Sequence, residues 1–103
     1  LMKAAEEGCV EVMKLLINAN VDLEAVNKKG RSALSFAAAP SGNREVRLDA
    51  VRYLLETGAD PLRRDDDDLT AKMRADQEGR RRKLLNVNDV VALLELYESK
   101  KES

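Results

Sequence analysis

Apolar residues recur along this chain at helical spacing, in three stretches separated by polar turns. Cys9, Val12, Met13 and Leu16 fall at i, i+3, i+4 and i+7, which predicts an amphipathic helix over 10–18 with Glu11, Lys14 and Asn18 turned outward. Leu15 departs from that stripe. Leu48, Val51 and Leu55, with Ala50 and Leu54 alongside, predict a second helix over about 44–57, whose solvated side carries Arg44, Glu45, Arg47, Asp49, Arg52 and Glu56. Val87, Val90, Val91 and Leu94 repeat the spacing in a final helix capped by Asn88, and a polar tail is expected to fray over 99–103.

Each of these helices is preceded by a shorter, alanine-rich one. Leu1 to Glu7 ends at Gly8. Ala33 to Ala39 has Ser32 as a suitable N-cap and stops before Pro40, since a residue preceding proline is driven out of the helical region. Ala71 to Glu78 follows Thr70. Asn20 and Gly58 each follow a last periodic residue, where a left-handed C-cap is wanted. Between the pairs, Val21 to Gly30 and Leu62 to Leu69 carry no helical period but hold Asp, Asn and Gly, and so read as extended turns.

The pairs are copies of one unit. Leu34, Ala37 and Ala38 have counterparts one period earlier in Leu1, Ala4 and Ala5, and Ser32, Ala33 and Ala37 have counterparts one slightly longer interval later in Thr70, Ala71 and Ala75. Asn20-Val21-Asp22 and Gly58-Ala59-Asp60 are separated by that same longer interval, which places five extra residues between Ala38 and Gly58. Gly8 and Gly79 hold equivalent places. A basic insertion of about seven residues, 79–85, occupies the same inter-helix position in the third unit.

A 33-residue period with a [Ser/Thr]-x-Leu-x-x-Ala-Ala core and a Gly-Ala-Asp turn resembles the ankyrin repeat. The resemblance implies an all-α, helix-turn-helix repeat solenoid with protruding hairpin-like fingers. It spans 1–98 as one domain, with repeats of about 1–26, 27–64 and 65–97 and a tail at 99–103. Lys72, Arg74 and Asp76 stand where the second unit has Leu34, Phe36 and Ala38, too polar for a core, and are expected to make the third unit a wet-faced cap.

Composition narrows the chemistry. A net charge of −1 over 103 residues argues against whole-domain attraction to nucleic acid, and no apolar run approaches the length that spans a bilayer. The single cysteine, Cys9, excludes an internal disulfide and, with the absence of a glycosylation sequon, points to an intracellular setting, cytoplasmic in the first instance. An organelle remains open, because the chain starts in mid-repeat. A chain of this size buries only about 60–65% of its unfolded surface. Its apolar N-terminal edge, around Leu1, Met2 and Val12, is expected to be covered by upstream repeats or a partner subunit.

Catalysis finds little to work with. The chain has no histidine to activate Cys9 or a serine, and no phosphate-binding glycine loop, so no enzyme activity and no cofactor are expected. Cys9 on an apolar stripe reads as a small core residue. The run Asp65 to Asp68 lacks the oxygen spacing of an EF-hand loop, which argues against a metal. Lys28 and Lys29 stand one repeat before Asp66 and Asp67, so opposite charges are expected side by side on adjacent fingers, either pairing there or meeting a partner. Arg80-Arg81-Arg82-Lys83, with no interleaved aromatic residue, reads as a solvated loop before an acidic-protein or nucleic-acid patch.

By the family resemblance the partner is another protein, bound along the finger tips and the exposed side of the short helices. Carried over by position, that surface comprises Glu6, Glu7, Val26, Lys28, Lys29, Arg31, Ala39, Arg64, Asp66, Asp67, Leu69, Gln77 and Glu78. Arg31, Arg64, Val26 and Leu69 are expected to carry most of the affinity, and reversing Arg31 and Arg64 to weaken binding without loss of helix. The function so implied is that of an adaptor or scaffold; a subunit built permanently into a larger assembly is the alternative.

Overall fold

The computed structural model of the chain describes residues 1–40, 46–82 and 87–102. Six helices follow in order: α1 (Met2–Glu7), α2 (Val10–Asn18), α3 (Ala33–Ala38), α4 (Leu48–Glu56), α5 (Ala71–Arg82) and α6 (Val87–Glu102). They stand in two rows. The inner row runs α1, α3, α5 and the outer row α2, α4, α6, each inner helix packing also on the outer helix that follows it. Among the described residues there is no strand, only an isolated antiparallel bridge between Val26 and Ser32.

The inner row is built on small side chains. Ala4 and Ala5, Ala33, Ala37 and Ala38, and Ala71 and Ala75 are buried, so the short helices approach closely, while Met13, Leu34, Val51, Leu54, Val90 and Leu94 fill the space between the rows with almost no exposure. Burying each of those larger side chains contributes about 1.5–3 kcal/mol.

The expected caps form. The amide of Ser35 donates to Ser32 Oγ (3.4 Å) and that of Met73 to Thr70 Oγ1 (3.3 Å). Asn20 takes the left-handed conformation (φ 66°) at the place Gly58 takes it (φ 110°). The equivalence reaches the hydrogen bonds: Val21 N–H donates to Leu16 C=O, and one repeat further on Ala59 N–H donates to Leu54 C=O.

Five expectations fail, each for a local reason. Cys9 is exposed rather than buried, because it is the N-cap of α2 and precedes the stripe. The buried face of α2 is rotated toward Val10, Met13, Leu16 and Ile17, since its main packing is on α1 and α4; Val12 and Leu15 are left 45% and 70% exposed on the far flank. The basic stretch is helical through Arg82, not a loop, with Asp76 bonded to Arg80 (2.9 Å) and Glu78 to Arg81 (2.9 Å) one turn apart. The tail is helical to Glu102, so Asn88 lies inside the first turn of α6, and Lys100 covers the Tyr97 ring at 4.7 Å. Expectations at Ser41 to Glu45, including a helical start near Arg44, and at Lys83 to Asn86 and Ser103 fall outside the described residues, while α4 itself begins at Leu48, later than expected, after an extended Arg47.

Candidate functional site

The two turns between helix pairs are built alike. In the first, Asn27 Oδ1 accepts from the amides of Lys29 (2.9 Å) and Arg31 (3.0 Å), while Asn27 N–H donates to Arg31 C=O (3.1 Å). In the second, Asp65 Oδ1 accepts from the amides of Asp67 (2.9 Å) and Leu69 (3.1 Å), and Asp65 N–H donates to Leu69 C=O (3.0 Å). One side-chain oxygen thus closes each tip, as Asn and Asp do in turns. Gly30 and Asp68 hold the matching left-handed positions (φ 75° and 63°).

The tips lie side by side, but not through ion pairs, one of the two uses expected of their charges. Asp66 N–H donates to Lys29 C=O (3.0 Å), a backbone bond from finger to finger. Gly30 permits this approach: a Cβ there would meet Asp66 Oδ1 at 2.5 Å and its amide nitrogen at 3.0 Å. Among the described residues no carboxylate pairs with Lys28 or Lys29, and Asp67 turns instead to Arg74 (2.9 Å). Glu24 ties the bases of the turns, accepting from Asp60 N–H (2.9 Å).

Two arginines hold this face rigid. Arg74, whose side chain is 12% exposed, bonds Asp65 through Nε (2.7 Å) and Nη2 (2.6 Å), and the Asp65 side chain is 2% exposed. Burial pushes the Asp65 carboxyl up, but the Leu69 amide, the Arg74 guanidinium and the Asp67 amide together outweigh it and hold the group below its ordinary value. Arg31 donates from Nε to Ser35 Oγ (3.1 Å) and from Nη2 to the carbonyls of Ser35 (3.0 Å) and Ala39 (2.8 Å). Its guanidinium also lies over the Phe36 ring at 4.2 Å. Burial first, and then the like charge of Arg74, lower its pKa from the usual arginine value.

The sequence-derived surface therefore divides. Glu7, Val26 (39% exposed), Lys28, Lys29, Arg64, Asp66, Asp67 and Gln77 are exposed, and Glu6, Leu69 and Glu78 are half-buried, on the inner helices and tips. Ala39 is corrected: it is 1% exposed, packed into the core with its carbonyl taken by Arg31. Arg31 is half-buried, its guanidinium bonded to the backbone that closes α3. Arg64 keeps an exposed side chain while donating to Asp68 C=O (2.9 Å).

The structure adds an open cavity of about 370 Å³, lined by Met2, Lys3, Glu6, Asn27 and Phe36, where α1, the first tip and α3 meet. Met2, Lys3, Asn27 and Phe36 escaped the sequence reading. A signal existed: Lys3, Phe36 and Arg74 occupy one register position in the three successive units. Among the described residues no three His, Cys, Asp or Glu side chains converge as metal ligands would, and no helix is long and apolar enough to cross a membrane. A family model for ankyrin repeats, in three copies, matches residues 1–98. No curated protein matches the chain.

Proposed function

Because the chain belongs to the ankyrin repeat family, whose members generally mediate protein–protein interactions, we propose that it is a binding module that meets another protein along its finger tips and inner helices. The carrying observation is a division of labour on that face. Asn27, Asp65, Arg31 and Arg74 are consumed in fixing the tips, while Val26, Lys28, Lys29 and Asp66 stand exposed on the backbone so fixed. A rigid support loses little freedom when a partner docks, so contacts at the tips count more fully toward affinity. The role is that of an adaptor without catalytic activity, built of repeats at about 1–26, 27–64 and 65–97.

The alternative, a subunit permanently built into an assembly, draws on a different surface, the exposed Val12 and Leu15 of α2. A photo-crosslinking amino acid placed at Val26, or at Leu15 on the exposed side of α2, separates the two faces. Crosslinks to a discrete partner from Val26 and not from Leu15 are expected in extracts of the source cells. Equal capture from both positions, or capture from Leu15 alone, would overturn the proposal.

A further inference from the structure

The cavity between α1, the first tip and α3 has an apolar floor, with one cation, Lys3, and one acid, Glu6, on its wall. Met2 and Phe36 supply half-buried apolar surface, and Arg31 screens the Phe36 ring from one side. Lys3 lines the opening, and Lys28 and Lys29 follow directly on Asn27, which also lines it. All three lysines are exposed, and among the described residues none has a carboxylate within ion-pair distance. Glu6 supplies the acid on the wall, and the Arg31 guanidinium lies near enough to feel its charge.

The neighbouring tip is charged differently. Arg74 bonds both Asp65 and Asp67, one cation against two carboxylates, and Arg64 lies 3.8 Å from Asp68. Asp66 alone of that tip has no cation within ion-pair distance among the described residues. An anionic segment is therefore attracted over the cavity and repelled one repeat further along. That asymmetry sets where the acidic residues of a partner can lie.

Taking the face as the binding surface proposed above, we propose that this cavity receives one bulky apolar side chain from a protein segment whose adjacent residues are acidic, their carboxylates meeting Lys3, Lys28 and Lys29. The cavity lies at the small end of the 300–1,000 Å³ typical of ligand pockets, which suits a single side chain more than a cofactor. The apolar contact supplies burial, and the lysines select sequence context and speed encounter.

Fluorescence anisotropy with the whole chain and three synthetic peptides tests this. The first peptide holds one leucine flanked by glutamates, the second replaces the glutamates by lysines, and the third replaces the leucine by alanine. The first is expected to bind with a dissociation constant below about 1 mM and to lead both others by roughly tenfold or more. Lys28→Glu with Lys29→Glu should erase that lead, as should Lys3→Glu, which changes an exposed side chain only. Lys14→Glu with Arg52→Glu, on exposed outer-row positions, should leave it intact. Stronger binding of the lysine peptide, indifference to the leucine, or equal loss with the outer-row pair would overturn the proposal. If the glutamate peptide fails while crosslinking from Val26 persists, the acidic-segment proposal falls and the binding face stands; if both fail, the face falls as well.

Discussion

Replacing Asp65 by alanine removes four acceptor contacts at once: the amides of Asp67 and Leu69, and the Nε and Nη2 groups of Arg74. Each amide bond contributes about 1 kcal/mol and the charge-assisted pair about 1.5–3 kcal/mol. Arg74 retains Asp67, and water can reach the opened tip, so the expected loss is about 3–4 kcal/mol. Asp65→Asn keeps an oxygen for the two amides and forfeits only the charge, and should cost about 2 kcal/mol. A domain of this length has about 5–15 kcal/mol in all, so the alanine variant stays folded with a transition lowered by about 12 °C or more. Urea unfolding followed by circular dichroism at pH 7 measures both. A loss below about 1 kcal/mol for alanine would mean that the tip does not rest on Asp65, and an asparagine variant as weak as alanine would refute the acceptor count.

Gly30→Ala should cost about 2–3 kcal/mol, because a left-handed alanine is strained and its Cβ would meet the Asp66 amide, whereas Gly58→Ala, with open space around it, should cost only the strain of about 1 kcal/mol. Comparing their thermal midpoints checks the difference. Arg31→Ala removes the Nη2 bonds to the Ser35 and Ala39 carbonyls together, and with the Ala39 carbonyl left unpaired in a buried setting the chain should lose about 1–3 kcal/mol in urea. The Asp65 carboxyl is held below its unfolded value in the folded state, so its contribution is complete above about pH 4 and vanishes as pH falls through the folded value. Acid unfolding of Asp65→Asn should therefore show a shallower fall below about pH 4 than the parent chain.

The fold was legible because its signals are local and repeated. The caps at Ser32 and Thr70, the left-handed Asn20 and the alanine pairs each state a backbone requirement that neighbouring residues satisfy. The rotation of α2 was not legible, since Cys9, Val12, Met13 and Leu16 fit one helical face as well as Val10, Met13, Leu16 and Ile17 do. Which face is buried depends on the helices that flank it. The helical extension through Arg82 brings pairs at Asp76 and Glu78 that offset part of the cost of the helix-weakening Gly79. At the candidate site, position in the repeat located the face but not the task of each group. Ala39 shares a register with Glu6 and Gln77, yet the Arg31 guanidinium bonds its carbonyl and the residue is buried. Reversing Arg31 would therefore disturb the fold before it tested binding.

The polar inner face of α5, which the sequence presents as a wet end surface, has a nearer cause in one difference between the turns. Asn27 closes the first tip with a neutral amide oxygen and needs no counter-ion, so the equivalent of Arg74 in that unit can be Phe36. Asp65 closes the second with a carboxylate that is 2% exposed, and a charge so enclosed requires a cation, which the same register position supplies as Arg74. The exchange of Asn for Asp and of Phe for Arg is thus one event in two residues. Arg74→Phe alone strands the Asp65 charge and should cost about 3–5 kcal/mol. Arg74→Phe with Asp65→Asn recreates the first turn in the second and should recover at least about half of that loss. A double-mutant cycle in urea reads the coupling directly. Additive losses would show that Asp65 and Arg74 hold the tip independently, and the polarity of α5 would then need another explanation.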